Sequence, residues 1–153
     1  MNYEDDFTKW EKTVPPSITC DPLWRMRVYR LALFVCDISW DDVTILSKDS
    51  RTRSLSDQLY RSLGSIGANI AEGYSRGSGK DRARFYEYAL GSARESRDWY
   101  FKGRRPIGDD VAFARMDMLA EIIRQLLVII GNQPGRTLRE PSVDYTPDTD
   151  HQN

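Results

Sequence analysis

Histidine occurs once in these 153 residues, at His151, and cysteine only twice, at Cys20 and Cys36. One histidine in a polar C-terminal stretch leaves histidine-based acid–base catalysis and a histidine-containing metal site without the residues to build them. The two cysteines stand far apart and form neither a CxxC pair nor a metal knuckle. No disulfide framework is expected, and a reducing compartment suits them. Cys36 lies inside the apolar run LALFVCDI and reads as a small buried hydrophobe. No run of about 18 apolar residues occurs, which excludes a spanning helix. The N-terminal MNYEDDFTKWEKT is acidic where a secretory leader is basic and then apolar. The expectation is a cytoplasmic protein without cofactor or metal. Stretches alternating apolar with polar residues are missing too, which argues against strands.

What is present is charge, unevenly distributed. The formal net charge is only -1, yet residues 51–105 carry twelve Lys/Arg against six Asp/Glu, while residues 1–24 carry two against five. A basic middle between acidic ends suggests a face for polyanions, or ends that shield it. The length suits one ordinary domain.

Four segments show the helical period. The first runs from about Leu23 to Leu46 with Met26, Tyr29, Leu33, Cys36 and Trp40 on one face. The second covers about Arg53 to Arg76, with Leu55, Leu59, Ser62 or Leu63, Ile66, Ile70 and Tyr74 at spacings of three and four and Ser54 or Ser56 as its cap. The third starts after Ser78, where Ser-Gly-Lys-Asp has the form of a capping box, and carries Phe85, Ala89, Ser92, Ser96 and Trp99 to about Lys102. After the breaker GRRPIG, Asp109 is expected to cap a fourth helix bearing Val111, Met118, Leu119, Ile122, Leu126 and Ile129, stopped by Gly131-Asn132. Short connections between helices of this length predict an all-α, antiparallel up-down-up-down four-helix bundle over residues 22–132. Residues 1–21, with Pro15 and Pro16, Pro22 directly after them, and no sustained period, are expected to be a flexible acidic arm. Residues 133–153 are expected to be a disordered tail.

The stretch ANIAEGYSRGSGKDRARF, Ala68 to Phe85, resembles a phosphate-binding loop at first sight. Its spacing does not: Gly73 is one residue too far from Gly79-Lys80, Asp81 follows the lysine, and a helix instead of a strand precedes it. Glycines cost a helix about 1 kcal/mol each, so GSIGA and ALGSA are expected to face each other at a close helix crossing. Glu72 and Arg76, and Arg94 and Asp98, stand four apart and make ordinary solvated pairs, although Asn69, Glu72 and Arg76 also form one polar stripe. Arg76, Lys80, Arg82 and Arg84 crowd the turn between the second and third helices, with Arg61 and Arg104-Arg105 as further candidates. Such a cluster is either simply solvated or contacts phosphates in a salt-sensitive way, with Tyr74, Tyr86 and Tyr88 as stacking surfaces wherever they are exposed. Glu87 and Glu95 are two turns apart with no catalytic companions, so no enzyme is expected.

The run LSDQLYRSLGSIGANIAEGYSRGSGKDRARFYEYALGSARES strongly resembles the signature of the bacterial proteins encoded by intervening sequences in 23S ribosomal RNA genes. The likeness rests on Gln58, Arg61, Asn69-Ile-Ala-Glu-Gly73, Arg76, Phe85 and Ala89-Leu-Gly-Ser92 followed by Glu95, and extends more weakly over about Leu23–Ile130. It implies a four-helix bundle assembled as a ring-like homo-oligomer, a pentamer, without established enzymatic activity. Related accessory variability determinant proteins of diversity-generating retroelements are similar basic pentamers that bind a reverse transcriptase and nucleic acid. By that resemblance, RNA or DNA and a reverse transcriptase become candidate partners, and Arg61, Arg76, Lys80, Arg82 and Arg84 the polyanion contacts. Asn69, Glu72, Gly73, Gly91 and Ser92 become helix or subunit packing positions. The competing expectation is a structural, protein-interacting oligomer with no nucleic-acid role.

Overall fold

Apolar residues recurring every three to four positions bury one stripe of each long helix, and four such helices dominate the chain. The computed structural model describes residues 3–135. In chain order the helices are α1 (Tyr3–Glu11), α2 (Pro16–Thr19), α3 (Arg27–Lys48), α4 (Arg53–Tyr74), α5 (Gly79–Lys102), α6 (Arg104–Ile107) and α7 (Asp109–Gly131), with a 3-10 turn at Pro22–Arg25. The fold is all-α. Among the described residues there are seven helices instead of four, no strand, and no helix long and apolar enough to cross a membrane.

The long helices pack α3 on α4, α4 on α5, α5 on α7 and, most sparsely, α7 on α3. Their directions follow from which residues meet. The Ser65 hydroxyl donates to Ser92 at 2.6 Å and the Ser96 hydroxyl to Ser62 at 2.8 Å, so α4 ascends as α5 descends. Trp40 meets Tyr60 with ring centroids 5.9 Å apart, whereas Gly67 lies against Leu33, so α3 and α4 are also antiparallel. The core is built from Val28, Leu31, Val35, Leu46, Leu59, Leu63, Ile66, Ile70, Tyr86, Ala89, Ala93, Leu119, Ile122, Ile123 and Leu126.

Several expectations are corrected. Within the arm expected over residues 1–21, the described part, residues 3–21, holds α1 and α2. Acidic residues Glu4, Asp5 and Asp6 sit in the first turn of α1, where they favour the positive helix end. Tyr3, Phe7 and Trp10 form its apolar stripe, and Phe7 is only 1% exposed, packed against Phe34. Arg27 and Arg30 donate to Glu4 and Glu11, each at 2.6 Å, and Trp10 Nε1 donates to Asp37 at 2.7 Å. The expected tail beyond residue 135 lies outside the described residues.

The face expected of α3 is also displaced. Trp40 is 62% exposed, while Val28, Leu31, Phe34, Val35, Ser39, Asp42 and Leu46 point inward. A helix apolar on most of its circumference does not reveal which side is inside, and α1 covers an additional side here. On α4 the inward stripe is as expected except for Tyr74, which is exposed. The caps differ as well. Thr52, not Ser54 or Ser56, precedes α4, and its hydroxyl donates to the Leu46 carbonyl. Gly108, with φ 91°, precedes α7 and makes Asp109 the first helical residue instead of the cap; that left-handed conformation suits a residue without Cβ.

One polar network crosses the core. Asp42 on α3, 4% exposed, accepts at one carboxylate oxygen from the Tyr100 hydroxyl at 2.8 Å and from Arg115 Nε at 2.9 Å, joining α3, α5 and α7.

Candidate nucleic-acid interface

The α4–α5 turn occupies one end of the long helices. Ser75 and Arg76 close α4 by donating their N–H groups to Ala71 and Gly73 carbonyls. Ser78 then caps α5 as expected, its hydroxyl oxygen accepting from the Asp81 N–H at 3.1 Å. The two helices approach so closely here that a Cβ at Gly73 would lie 2.8 Å from the Tyr86 ring and 3.1 Å from Phe85 Cβ. The packing of α4 on α5 therefore leaves no room for a Cβ at Gly73.

The turn brings two of the five expected cations, Arg76 and Arg84, onto one aromatic ring, and carries a third, Lys80, in the same segment. The Arg76 guanidinium is 4.6 Å from the centroid of Phe85 and paired with Glu72. Arg84 is 5.3 Å from the same centroid, with Asp81 at 3.8 Å. Lys80 is exposed and has no ion-pair partner among the described residues. These pairs are solvent-exposed, and such pairs contribute no more than about 1 kcal/mol, so a phosphate can displace a carboxylate at small cost.

The other two depart from expectation. Arg82 turns inward, donating from Nε to Gln133 Oε1 at 2.8 Å and from a terminal nitrogen to the Arg76 carbonyl at 3.1 Å. It is a strut that ties the turn to Gln133, just past the end of α7. Arg61 is exposed but sits far up α4, about 22 Å from Arg76 at the standard helical rise. Arg104 and Arg105 belong to α6, beyond the far end of α5, where Arg104 lies over Phe101 at 4.2 Å.

Of the candidate stacking rings, Tyr88 is 52% exposed and Tyr74 40%, whereas Tyr86 is buried at 2%. Burial pushes the Tyr86 phenol upward, opposed by Arg82, so this ring is a core element and no stacking surface. Tyr88 stands edge-on to Phe85, with centroids 5.6 Å apart. Gln133 was not legible as a site residue, because its partner is 51 positions away.

The packing residues divide. Ser92 takes part in the α4–α5 crossing through Ser65, and Asn69 Nδ2 donates to the Ser65 carbonyl on its own helix at 2.8 Å. Glu72 is exposed and serves Arg76. Gly91 does not face α4: a Cβ there would meet nothing within 4 Å, and the same holds for Gly64. The serines, not the glycines, form the crossing expected of GSIGA and ALGSA, and Gly67 faces α3 instead. Asp98, expected to pair with Arg94, meets Lys102 at 2.6 Å. Among the described residues, no three His, Cys, Asp or Glu side chains are grouped so as to hold a metal ion.

Comparison with known proteins bears on the helical fold and the family. No curated protein matches the chain. A crystal structure described as a protein of unknown function from the S23 ribosomal protein family of Bacteroides thetaiotaomicron VPI-5482 is similar, with a TM-score of 0.63 and 27% identity, over 67% of this chain and 97% of that one. The family described as 23S rRNA-intervening sequence protein matches residues 25–127, which span α3 to α7 and the turn described above. This chain belongs to the 23S rRNA-intervening sequence protein family.

Proposed function

We propose that the chain is a non-enzymatic protein whose four long helices form an up-down-up-down bundle, and whose α4–α5 turn holds RNA or DNA, alone or as an accessory to a reverse transcriptase. The observation that carries the reading is the placement of Arg76 and Arg84 about one Phe85 ring beside the unpaired Lys80. Both guanidiniums lie over that ring while remaining partly exposed, so their charge stays accessible at the helix end. Contacts to phosphate of this kind are sequence-independent and salt-sensitive.

Fluorescence anisotropy with a labelled oligonucleotide, titrated from about 50 to 200 mM salt, tests this. Binding should weaken with salt, and Arg76→Glu with Lys80→Glu should abolish it. No binding at the lowest salt, or binding indifferent to the double substitution, overturns the reading.

A second reading has its own support: exposed Ala68, and exposed Gly64 and Gly91 with open space where a Cβ would point, leave α4 and α5 with small residues on the surface. Small residues permit close approach of another chain, which favours a ring-like homo-oligomer such as a pentamer. Light scattering checks this, and a mass equal to the 17.7 kDa of one chain would sink it.

A further inference from the structure

We infer that the α4–α5 turn selects single-stranded over double-stranded nucleic acid, with Tyr88 as the stacking platform; this rests on the nucleic-acid reading of the turn. Tyr88 lies one helical turn beyond Arg84 on α5. Its ring is held perpendicular to Phe85, at an interplanar angle of 88°, while Arg76 and Arg84 approach that same Phe85. Phosphate-binding groups and an aromatic ring are therefore positioned by one shared residue.

The space beside Tyr88 is open. Its own ring is 52% exposed. Gly91, one turn further along, has no atom within 4 Å of where a Cβ would be, and Ala68 on α4 is small and exposed. Tyr86, the neighbouring tyrosine, is sealed in the core and bound to no such role.

A duplex offers phosphates to Arg76, Lys80 and Arg84 but keeps the faces of its bases stacked inside. A single strand offers both, and any base can stack because every base has a π-face. Preference for single strands without sequence preference follows.

The test compares a labelled single strand with a duplex of equal length at one salt concentration, using the full chain, Tyr88→Ala and Tyr88→Phe. Tyr88→Ala should weaken single-strand binding by about 5- to 150-fold. It should leave duplex binding, the salt slope and the mass by light scattering unchanged, and Tyr88→Phe should retain tight binding. Equal affinity for both strands, no effect of Tyr88→Ala, or an equal loss on both forms overturns this inference. If duplex binding still depends on Arg76 and Lys80 in that case, the broader reading of the turn survives. Absence of any binding at low salt overturns both.

Discussion

The Tyr100 hydroxyl donates to Asp42 at 2.8 Å inside the core, where Tyr100 has no exposed surface at all. Arg115 completes the arrangement from α7. A carboxylate placed there without partners would be costly, and removal of one member of a buried charged pair typically costs about 3–5 kcal/mol. Asp42→Ala should therefore lower the unfolding free energy by about that amount, read from urea denaturation. Tyr100→Phe should cost about 1.5–3 kcal/mol, the value of a hydrogen bond to a charged group.

The same pair gives stability a dependence on alkaline pH. Burial first, then Asp42, pushes the Tyr100 phenol far above its ordinary value. The folded chain holds this proton more tightly than the unfolded chain, so the contribution is complete below about pH 10 and declines as pH rises beyond it. Denaturation series above pH 10 should show stability falling by about 1.4 kcal/mol per pH unit for this proton, and Tyr100→Phe should remove that component.

Gly73 and Gly91 should respond oppositely to the same substitution. At Gly73 the added methyl collides with Tyr86, and overpacking of this kind costs about 1–3 kcal/mol. At Gly91 the methyl enters open space, so Ala should stabilise the helix by about 0.8–1 kcal/mol. Thermal melts of the two variants check both signs.

Docking of α1 should depend on Phe7. Truncating a buried Phe costs about 3–5 kcal/mol, and a nine-residue helix does not persist alone in water. Phe7→Ala should therefore open Lys9 and Lys12 to trypsin while the long helices stay intact by circular dichroism. Equal protection of variant and parent would show that α1 does not rely on this side chain.

The two thiols should separate kinetically. Cys20 is exposed, whereas Cys36 is partly buried, and burial together with Asp37 raises its thiol above the ordinary value. At about pH 8 the thiolate fraction at Cys36 is correspondingly smaller, so a thiol reagent should consume Cys20 first. Cys20→Ser should delete the fast phase, and denaturant should bring Cys36 to a similar rate.

The sequence by itself determined where the long helices lie, including the start of α5 after Ser78 and the end of α7 at Gly131. Period, caps and breakers are local, so a short window contains them. It also placed the basic residues on the α4–α5 turn and carried the family signature. Only the tertiary structure decided the inward face of α3, because that helix is apolar on several sides and its neighbours choose among them. Only it showed that Tyr3, Phe7 and Trp10 are a docked stripe, since nine residues are too few for the period to stand out from a proline-rich segment. The assignments of Arg82 to Gln133, of Tyr86 to the core and of Gly91 to the surface also waited for the fold. Each depends on which distant residues meet, and a helical pattern specifies spacing along one element but not the partner across it.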